Sequence, residues 1–233
     1  MEINQKNQIE GSGFMDYGAI VLAGGKGARF KGQKQFEKIG QKEMWRYVYD
    51  KAAQVVNKDY IIAVGVDIPG GETRSQSVHA GLQGLRECGR VIILEAARPL
   101  VTVEQIRVLL EDASKSSTFA LPLVNTVIGR DGTFYERSSF YDLLTPQAFD
   151  YPMLRKAYDT GKYRDTTDET VVMYQEYGIK PHFILDGENL IKVTYERDME
   201  VIKQMLKQQE ERDGDYCDNR RKWGYSKGDK GEA

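Results

Sequence analysis

AIVLAGGKGARFKGQKQF, residues 19–36, decides how the chain begins to fold. The apolar run from Tyr17 to Leu22 reads as a short buried strand. Gly24, Gly25 and Gly27 follow it and let the backbone turn tightly, so that its N–H groups can face an anion. Four cations (Lys26, Arg29, Lys31, Lys34) come within the next residues. The Walker pattern Gly-x-x-x-x-Gly-Lys-Ser/Thr is absent here. The dinucleotide pattern Gly-x-Gly-x-x-Gly fails as well, since Gly25-Lys26-Gly27-Ala28-Arg29 runs into Phe30. Arg29 and Lys34 lie within one loop length of the glycines, where cations can neutralise charge building up on a phosphorus. Lys26 and Lys31 read as solvated surface charge.

Working outward, strand-like and helix-like segments alternate. Residues 42–56 carry helical spacing, 60–66 (YIIAVGV) a strand, 75–86 a helix, 91–94 a strand, 103–114 a helix capped by Thr102, and 119–124 a strand. This alternation predicts βαβ units and a parallel sheet, with ligands outside the carboxyl ends of the strands. It breaks after Val124. Arg130-Asp131-Gly132 between β-forming residues predicts a projecting hairpin over about 126–145, followed by a helix from 152 to 160. Such a hairpin is either a dimer arm or an ordinary edge.

With 40% hydrophobic and 29% charged residues, the composition suits one globular domain, placed at 17–207. A net charge of −2 gives no basic field for nucleic acid, and no apolar run of 18 residues predicts a membrane span. Cys88 and Cys217 match no metal spacing and point to a reduced cytoplasmic protein. Residues 1–16 read as a flexible leader, and the charged, glycine-containing residues 208–233 as a disordered tail. His79 and His182 are too few for a metal hydrolase.

Leu22-Ala23-Gly24-Gly25-x-Gly27-x-Arg29 with Lys34-Gln35 resembles the opening of nucleotidyltransferases built on a Rossmann-like sheet. Gly70-Gly71-Glu72-Thr73-Arg74-Ser75, Ala96-Ala97-Arg98-Pro99, Asn125-Thr126, Thr145-Pro146-Gln147, Thr167-Asp168-Glu169 and Ile191-Lys192-Val193-Thr194 follow in the order found in one branch. That branch is the cytidylyltransferases acting on methylerythritol 4-phosphate and ribitol 5-phosphate, and the resemblance covers roughly residues 17–206. It implies an α/β fold with a mostly parallel twisted sheet, helices on both faces and the hairpin as a homodimer arm. It also implies transfer of CMP from CTP to a small phosphorylated polyol, with release of pyrophosphate.

By this resemblance Ala23, Gly24, Gly25, Gly27 and Ala96 would wrap CTP, while Gly71, Glu72 and Ser77 would read cytosine. Arg29, Lys34 and Lys192 would act on the phosphates, and Arg74 would steady its loop. Thr167, Arg98 and Thr145, with Thr126 and Arg137 of a neighbouring arm, would hold the acceptor. The metal carboxylate would be Glu95, with Mg²⁺ as cofactor. Glu95 replaces the family's aspartate, Leu94 its histidine, Asn189 an acidic residue, Leu190 an asparagine and Gln33 a proline. These departures leave open a catalytically weak member that binds nucleotide as a regulator. Leu22-Ala23-Gly24-Gly25 is nearer the ribitol type, so ribitol 5-phosphate, as in surface polysaccharides, and methylerythritol 4-phosphate rank equally.

Overall fold

A computed structural model of the protein describes residues 16–222. The elements, in chain order, are β1 (Tyr17–Leu22), β2 (Lys38–Ile39), β3 (Lys42–Glu43), α1 (Met44–Ala52), β4 (Ile61–Val64), α2 (Arg74–Gly84), β5 (Arg90–Glu95) and α3 (Val103–Glu111). They continue as β6 (Ser116–Pro122), β7 (Val127–Ile128), β8 (Phe134–Tyr135), β9 (Tyr141–Asp150), α4 (Tyr151–Asp159), α5 (Glu169–Tyr177), β10 (His182–Ile184) and α6 (Asp198–Lys222). The central sheet has the order β10-β6-β9-β5-β1-β4. β1 pairs parallel with β4 and β5, and β10 pairs parallel with β6. β9 runs antiparallel between β5 and β6.

Strand periodicity divides the interior into two faces. Ala19 and Val21 of β1, with Ile92 and Leu94 of β5, join one apolar cluster with residues of α1 and α3. Ile20, Val91 and Ile93 join the other, with residues of α2, α4 and α5. Both faces of β1 and β5 are therefore covered, which is why these strands read as unbroken apolar runs. Their carboxyl ends deliver Leu22 and Glu95 side by side, as register partners.

Helix starts follow the sequence closely. Thr102 and Gln105 form a reciprocal capping box on α3, with both bonds at 3.1 Å. Asp150 caps α4, and Asp168 caps α5 through the Thr170 amide at 2.8 Å. A third cluster packs Phe30, Ile39, Met44 and Val193 against Ile202 and Leu206 of α6. This helix runs on to Lys222, so residues 208–222 are helical where a disordered tail is expected. Docking of its first turns supplies a nucleus, and the Gln-, Glu-, Arg- and Lys-rich stretch beyond has good helix propensity. Residues 1–15 of the leader expected over 1–16, and residues 223–233, lie outside the described residues.

One expectation fails outright at the arm. Residues 141–145 are not hairpin but the start of β9, which continues through the sheet to Asp150. Pro146 hid the strand, because proline cannot donate to a ladder and argues against a central position. The register explains its tolerance: Phe119 pairs with Leu144 and Thr118 with Gln147, so Thr145 and Pro146 form a bulge. The projecting arm proper is the loop over 123–140, with the β7–β8 ladder at its core. Its turn uses Gly132 at φ 86°, and the Asp131 side chain accepts from the Thr133 amide at 3.1 Å.

Candidate active site

The glycine loop closes the top of β1. The Ala23 amide donates to Val64 O at 2.8 Å, laying the loop over the end of β4. Beneath it three glycine backbones touch. A Cβ on Gly65, whose φ is 98°, would stand 2.5 Å from Gly24 Cα, and one on Gly70 would stand 3.2 Å from the same atom. Further along, Gly27 turns at φ 60° and its carbonyl accepts from the Phe30 amide at 2.8 Å. Buried Phe30 anchors this turn in the third apolar cluster, leaving Arg29 on the cavity side. Gln35 is also buried and donates from Nε2 to Gly25 O at 3.1 Å, steadying the loop from below.

A side chain on Gly27 would be strained by its φ, and its Cβ would lie 1.7 Å from Gly32 O. Gly27→Ala is expected to cost about 1–2 kcal/mol from the backbone conformation alone. Relief of the clash should displace Arg29. The expected result is a lower Tm and at least ~10-fold weaker binding of CTP, the nucleotide that the resemblance implies, checked by differential scanning calorimetry and isothermal titration.

Across the cavity stands the loop before α2. Ser77 Oγ accepts from the Gly71 amide at 3.0 Å and donates to Thr73 O at 3.1 Å. A Cβ on Gly71 would lie 2.3 Å from Gln76 Cβ, so the tight fold of this loop demands glycine there. The Glu72 amide donates to Gln76 Oε1 at 3.0 Å, which leaves the exposed Glu72 side chain at the cavity edge. Ser77, assigned to reading the base, uses its only hydroxyl proton within the loop and keeps one lone pair for a ligand.

Between the two loops lies a charge cluster. Lys192 Nζ is 2.5 Å from Glu95 Oε2, and Arg74 Nε is 3.1 Å from Glu95 Oε1. The Arg74 Nη1 reaches Glu169 Oε1 at 2.7 Å. Burial alone would raise the Glu95 carboxyl, but Lys192 and then Arg74 override it and hold it at about 2. Burial opposes the Arg74 charge too, yet Glu169 and Glu95 push its pKa up. Lys34 Nζ donates to Val193 O. Burial, then the neighbouring Lys192 cation, pulls the Lys34 pKa below the ordinary lysine range.

Ala23, Gly24, Gly25, Gly27, Arg29 and Lys34 line one cavity of ≈ 380 Å³, together with Gly71, Glu72 and Ser77 from the opposite loop. Glu95, Ala96 and Lys192 close its floor. Every residue assigned above to nucleotide, phosphate or metal thus shares a single cleft, at the carboxyl ends of parallel strands.

The family model described as "IspD: 2-C-methyl-D-erythritol 4-phosphate cytidylyltransferase" matches residues 18–208. The chain belongs to this family. A 2-C-methyl-D-erythritol 4-phosphate cytidylyltransferase of Thermotoga neapolitana is 30% identical, over 82% of this chain and 97% of that one. The protein of the same name from Geobacillus thermodenitrificans is 32% identical, over 82% and 97%. Among solved structures, 4-diphosphocytidyl-2C-methyl-D-erythritol synthase from Anaerococcus prevotii superposes with a TM-score of 0.68 at 21% identity, covering 83% of this chain and 96% of that one. The latter likeness concerns the fold.

In this cytidylyltransferase the acceptor-side residues stand apart from the cavity lining. Arg98 Nε donates to Thr145 Oγ1 at 2.8 Å, and its Nη1 donates to Leu190 O. Thr145 is buried, so its hydroxyl holds Arg98 in place. Thr167 is exposed just before the α5 cap. Thr126 and Arg137 are exposed on the arm, where Arg137 Nη1 donates to Val124 O. Asn189, which stands where the family has an acidic residue, donates to Leu100 O at 2.9 Å and accepts from Gln105 at 2.7 Å. It sews the loop before Lys192 to the start of α3.

Sequence reasoning missed several participants. Lys26, treated as surface charge, lines the cavity, and Lys31 sits with Arg29, Tyr195 and Arg197 around a shallower depression. Arg74 is more than a loop brace, because it joins Glu95 to Glu169. The only cue in the sequence was its place three residues beyond the glycine pair. His79 stacks on Tyr158 with ring centroids 5.8 Å apart and meets Asp159 at 2.9 Å, away from the cleft.

Proposed function

We propose that the protein transfers CMP from CTP to 2-C-methyl-D-erythritol 4-phosphate and releases pyrophosphate. The observation that carries this reading is the convergence of Arg29, Lys34, Lys192 and Glu95 on one cleft, walled by a glycine loop and the Gly71–Ser77 loop. A phosphate oxygen of the acceptor attacks the α-phosphorus of CTP. That P–O bond forms as the bond to the bridging oxygen of pyrophosphate breaks, and the electron pair leaves with pyrophosphate. No covalent enzyme intermediate is needed, so the chain contributes position and charge. Arg29 and Lys34 would approach from the glycine-loop side and Lys192 from the floor of the cleft, opposing the charge that grows on the non-bridging and leaving oxygens.

Mg²⁺ suits this donor set. Glu95 would offer the ion an ionised hard oxygen on the cavity floor, and Mg²⁺ commonly takes one or two carboxylates plus substrate phosphates. Each oxygen of Glu95 keeps a lone pair beyond its contact with Arg74 or Lys192. When bound, the ion would supply further charge neutralisation at the phosphates.

The acceptor would lie toward Thr167 and the Arg98–Thr145 pair. Thr126 and Arg137 would reach it from the arm of a second subunit. Support for such a homodimer comes from the arm's apolar exposure: Val124, Ile128, Phe134 and Tyr135 all face outward. Among the described residues no helix is long and apolar enough to cross a membrane, and Cys88 is a buried free thiol, which supports a cytoplasmic setting.

The test is pyrophosphate release from CTP and Mg²⁺ with 2-C-methyl-D-erythritol 4-phosphate, with D-ribitol 5-phosphate, and with no acceptor. Release is expected with the first, stoichiometric with the CDP-linked product. Release with ribitol 5-phosphate alone would move the protein to the other branch. CTP binding without release for either would make it a nucleotide-binding regulator.

A further inference from the structure

Two loops that serve different substrates are fastened together inside one subunit. Thr73 Oγ1 donates to Arg164 O at 2.6 Å, and Ser75 Oγ donates to Tyr163 O. Both bonds tie the start of α2 to the segment just before Thr167. Thr167 is followed by two acidic residues that are each pinned elsewhere. Asp168 Oδ2 accepts from Gln147 Nε2 at 2.9 Å, and Gln147 is a wholly buried residue of β9. Glu169 is wholly buried, and its Oε1 accepts from Arg74 at 2.7 Å and from the Tyr158 hydroxyl at 3.0 Å. Its Oε2 has no hydrogen-bond partner.

A buried carboxylate is costly unless a cation compensates it, and a buried unpaired acceptor adds to that cost. Arg74 compensates Glu169 while its Nε holds Glu95, which in turn holds Lys192. The guanidinium is planar and its donors are fixed, so it serves both carboxylates only while their separation is kept. Movement of Glu169 with the Thr167 loop therefore alters Arg74, then Glu95 and Lys192. We propose that Arg74 is a positioning residue that couples occupancy of the acceptor subsite to nucleotide binding. This rests on the reading of the cleft as a site for CTP and a polyol phosphate. An ordinary structural salt bridge would stabilise the fold with no such coupling.

The experiment measures the Kd of cytidine 5′-[α,β-methylene]triphosphate, which cannot release pyrophosphate, by isothermal titration with Mg²⁺ present. It is run with and without saturating 2-C-methyl-D-erythritol 4-phosphate. In the wild type the two values should differ by at least about fivefold, the lower end of ordinary site–site coupling. In Glu169→Gln and Arg74→Lys the ratio should fall below about twofold, since the coupling that exceeds this level is assigned to their ion pair. If either variant fails to fold by circular dichroism, Tyr158→Phe replaces it, because that change removes the hydroxyl bonded to Glu169 and Ser75 and leaves every charge in place. A wild-type ratio of one, or variants that keep the wild-type ratio, would overturn the proposal. Failure of the functional reading is separate: it shows as absent pyrophosphate release in the wild type with CTP itself.

Discussion

Lys34→Ala is expected to lose roughly 10²–10³-fold in kcat/KM, as when one preorganised charge donor is removed from a transition state. The lysine is half-buried, oriented by its bond to Val193 O, and set among Arg29, Lys192, Glu95 and Asp198. An alanine there leaves the charge on the departing pyrophosphate to Arg29 and Lys192. The same surroundings make a pH prediction. Burial and Lys192 lower the Lys34 pKa, so its ammonium is lost at a lower pH than in an ordinary lysine. The alkaline limb of kcat/KM, which reports the free enzyme, should begin below the usual lysine range. In Lys34→Arg that limb should disappear, because a guanidinium keeps its proton. A pH–rate series of the wild type and both variants checks this. An unchanged rate in Lys34→Ala would remove Lys34 from the chemistry.

Glu95→Gln has the larger expected effect on stability. The substitution leaves Arg74 and Lys192 without the carboxylate they share, and breaking a buried pair in this way costs about 3–5 kcal/mol. For a domain of this size that corresponds to a Tm lower by roughly 6–20 °C. The acid side gives an independent measure. The Glu95 pKa falls from 4.5 to about 2 on folding, so the unfolded state binds the proton more readily. Its ionisation therefore contributes stability that is fully present above about 4.5 and lost as the pH falls toward 2. The amount is roughly 3 kcal/mol. Urea unfolding between pH 2.5 and 6 should show a shallower acid slope for Glu95→Gln than for the wild type. Equal slopes would mean that Lys192 and Arg74 do not hold the carboxylate in solution.

The sheet was legible wherever burial wrote a simple period. β1 and β5 are covered on both faces and read as unbroken apolar runs, and α3 announced itself through Thr102 and Gln105. β9 was not legible because Pro146 contradicts a central strand until the bulge opposite Thr118 and Phe119 is known. The residues assigned to the nucleotide do share one cleft, and they were findable because they cluster in short glycine-bearing segments. The acid–base wiring behind it was not. Arg74, Glu95 and Glu169 lie on three elements, and only the meeting of the N-termini of α2 and α5 at the end of β5 brings them together. The bonds of Asn189 were not legible for the same reason: its partners Leu100 and Gln105 are remote in sequence.

The contact of Gly24, Gly65 and Gly70 beneath the nucleotide loop has a consequence for how this protein can vary. When a bulky substitution crowds a side chain, a second mutation can restore space by trimming that neighbour. Here the crowded neighbours are main-chain atoms, 2.5 Å from a Cβ on Gly65 and 3.2 Å from one on Gly70. The atoms nearest Gly65 are all main-chain and cannot be shortened, whereas Gly70 also meets Ser77 Oγ at 3.4 Å. A suppressor screen starting from Gly65→Ala should therefore return revertants, with no compensating change at Gly24 or Gly70. The seat of the nucleotide loop at Gly65 is closed to stepwise drift, and diversity has to enter elsewhere around the cleft.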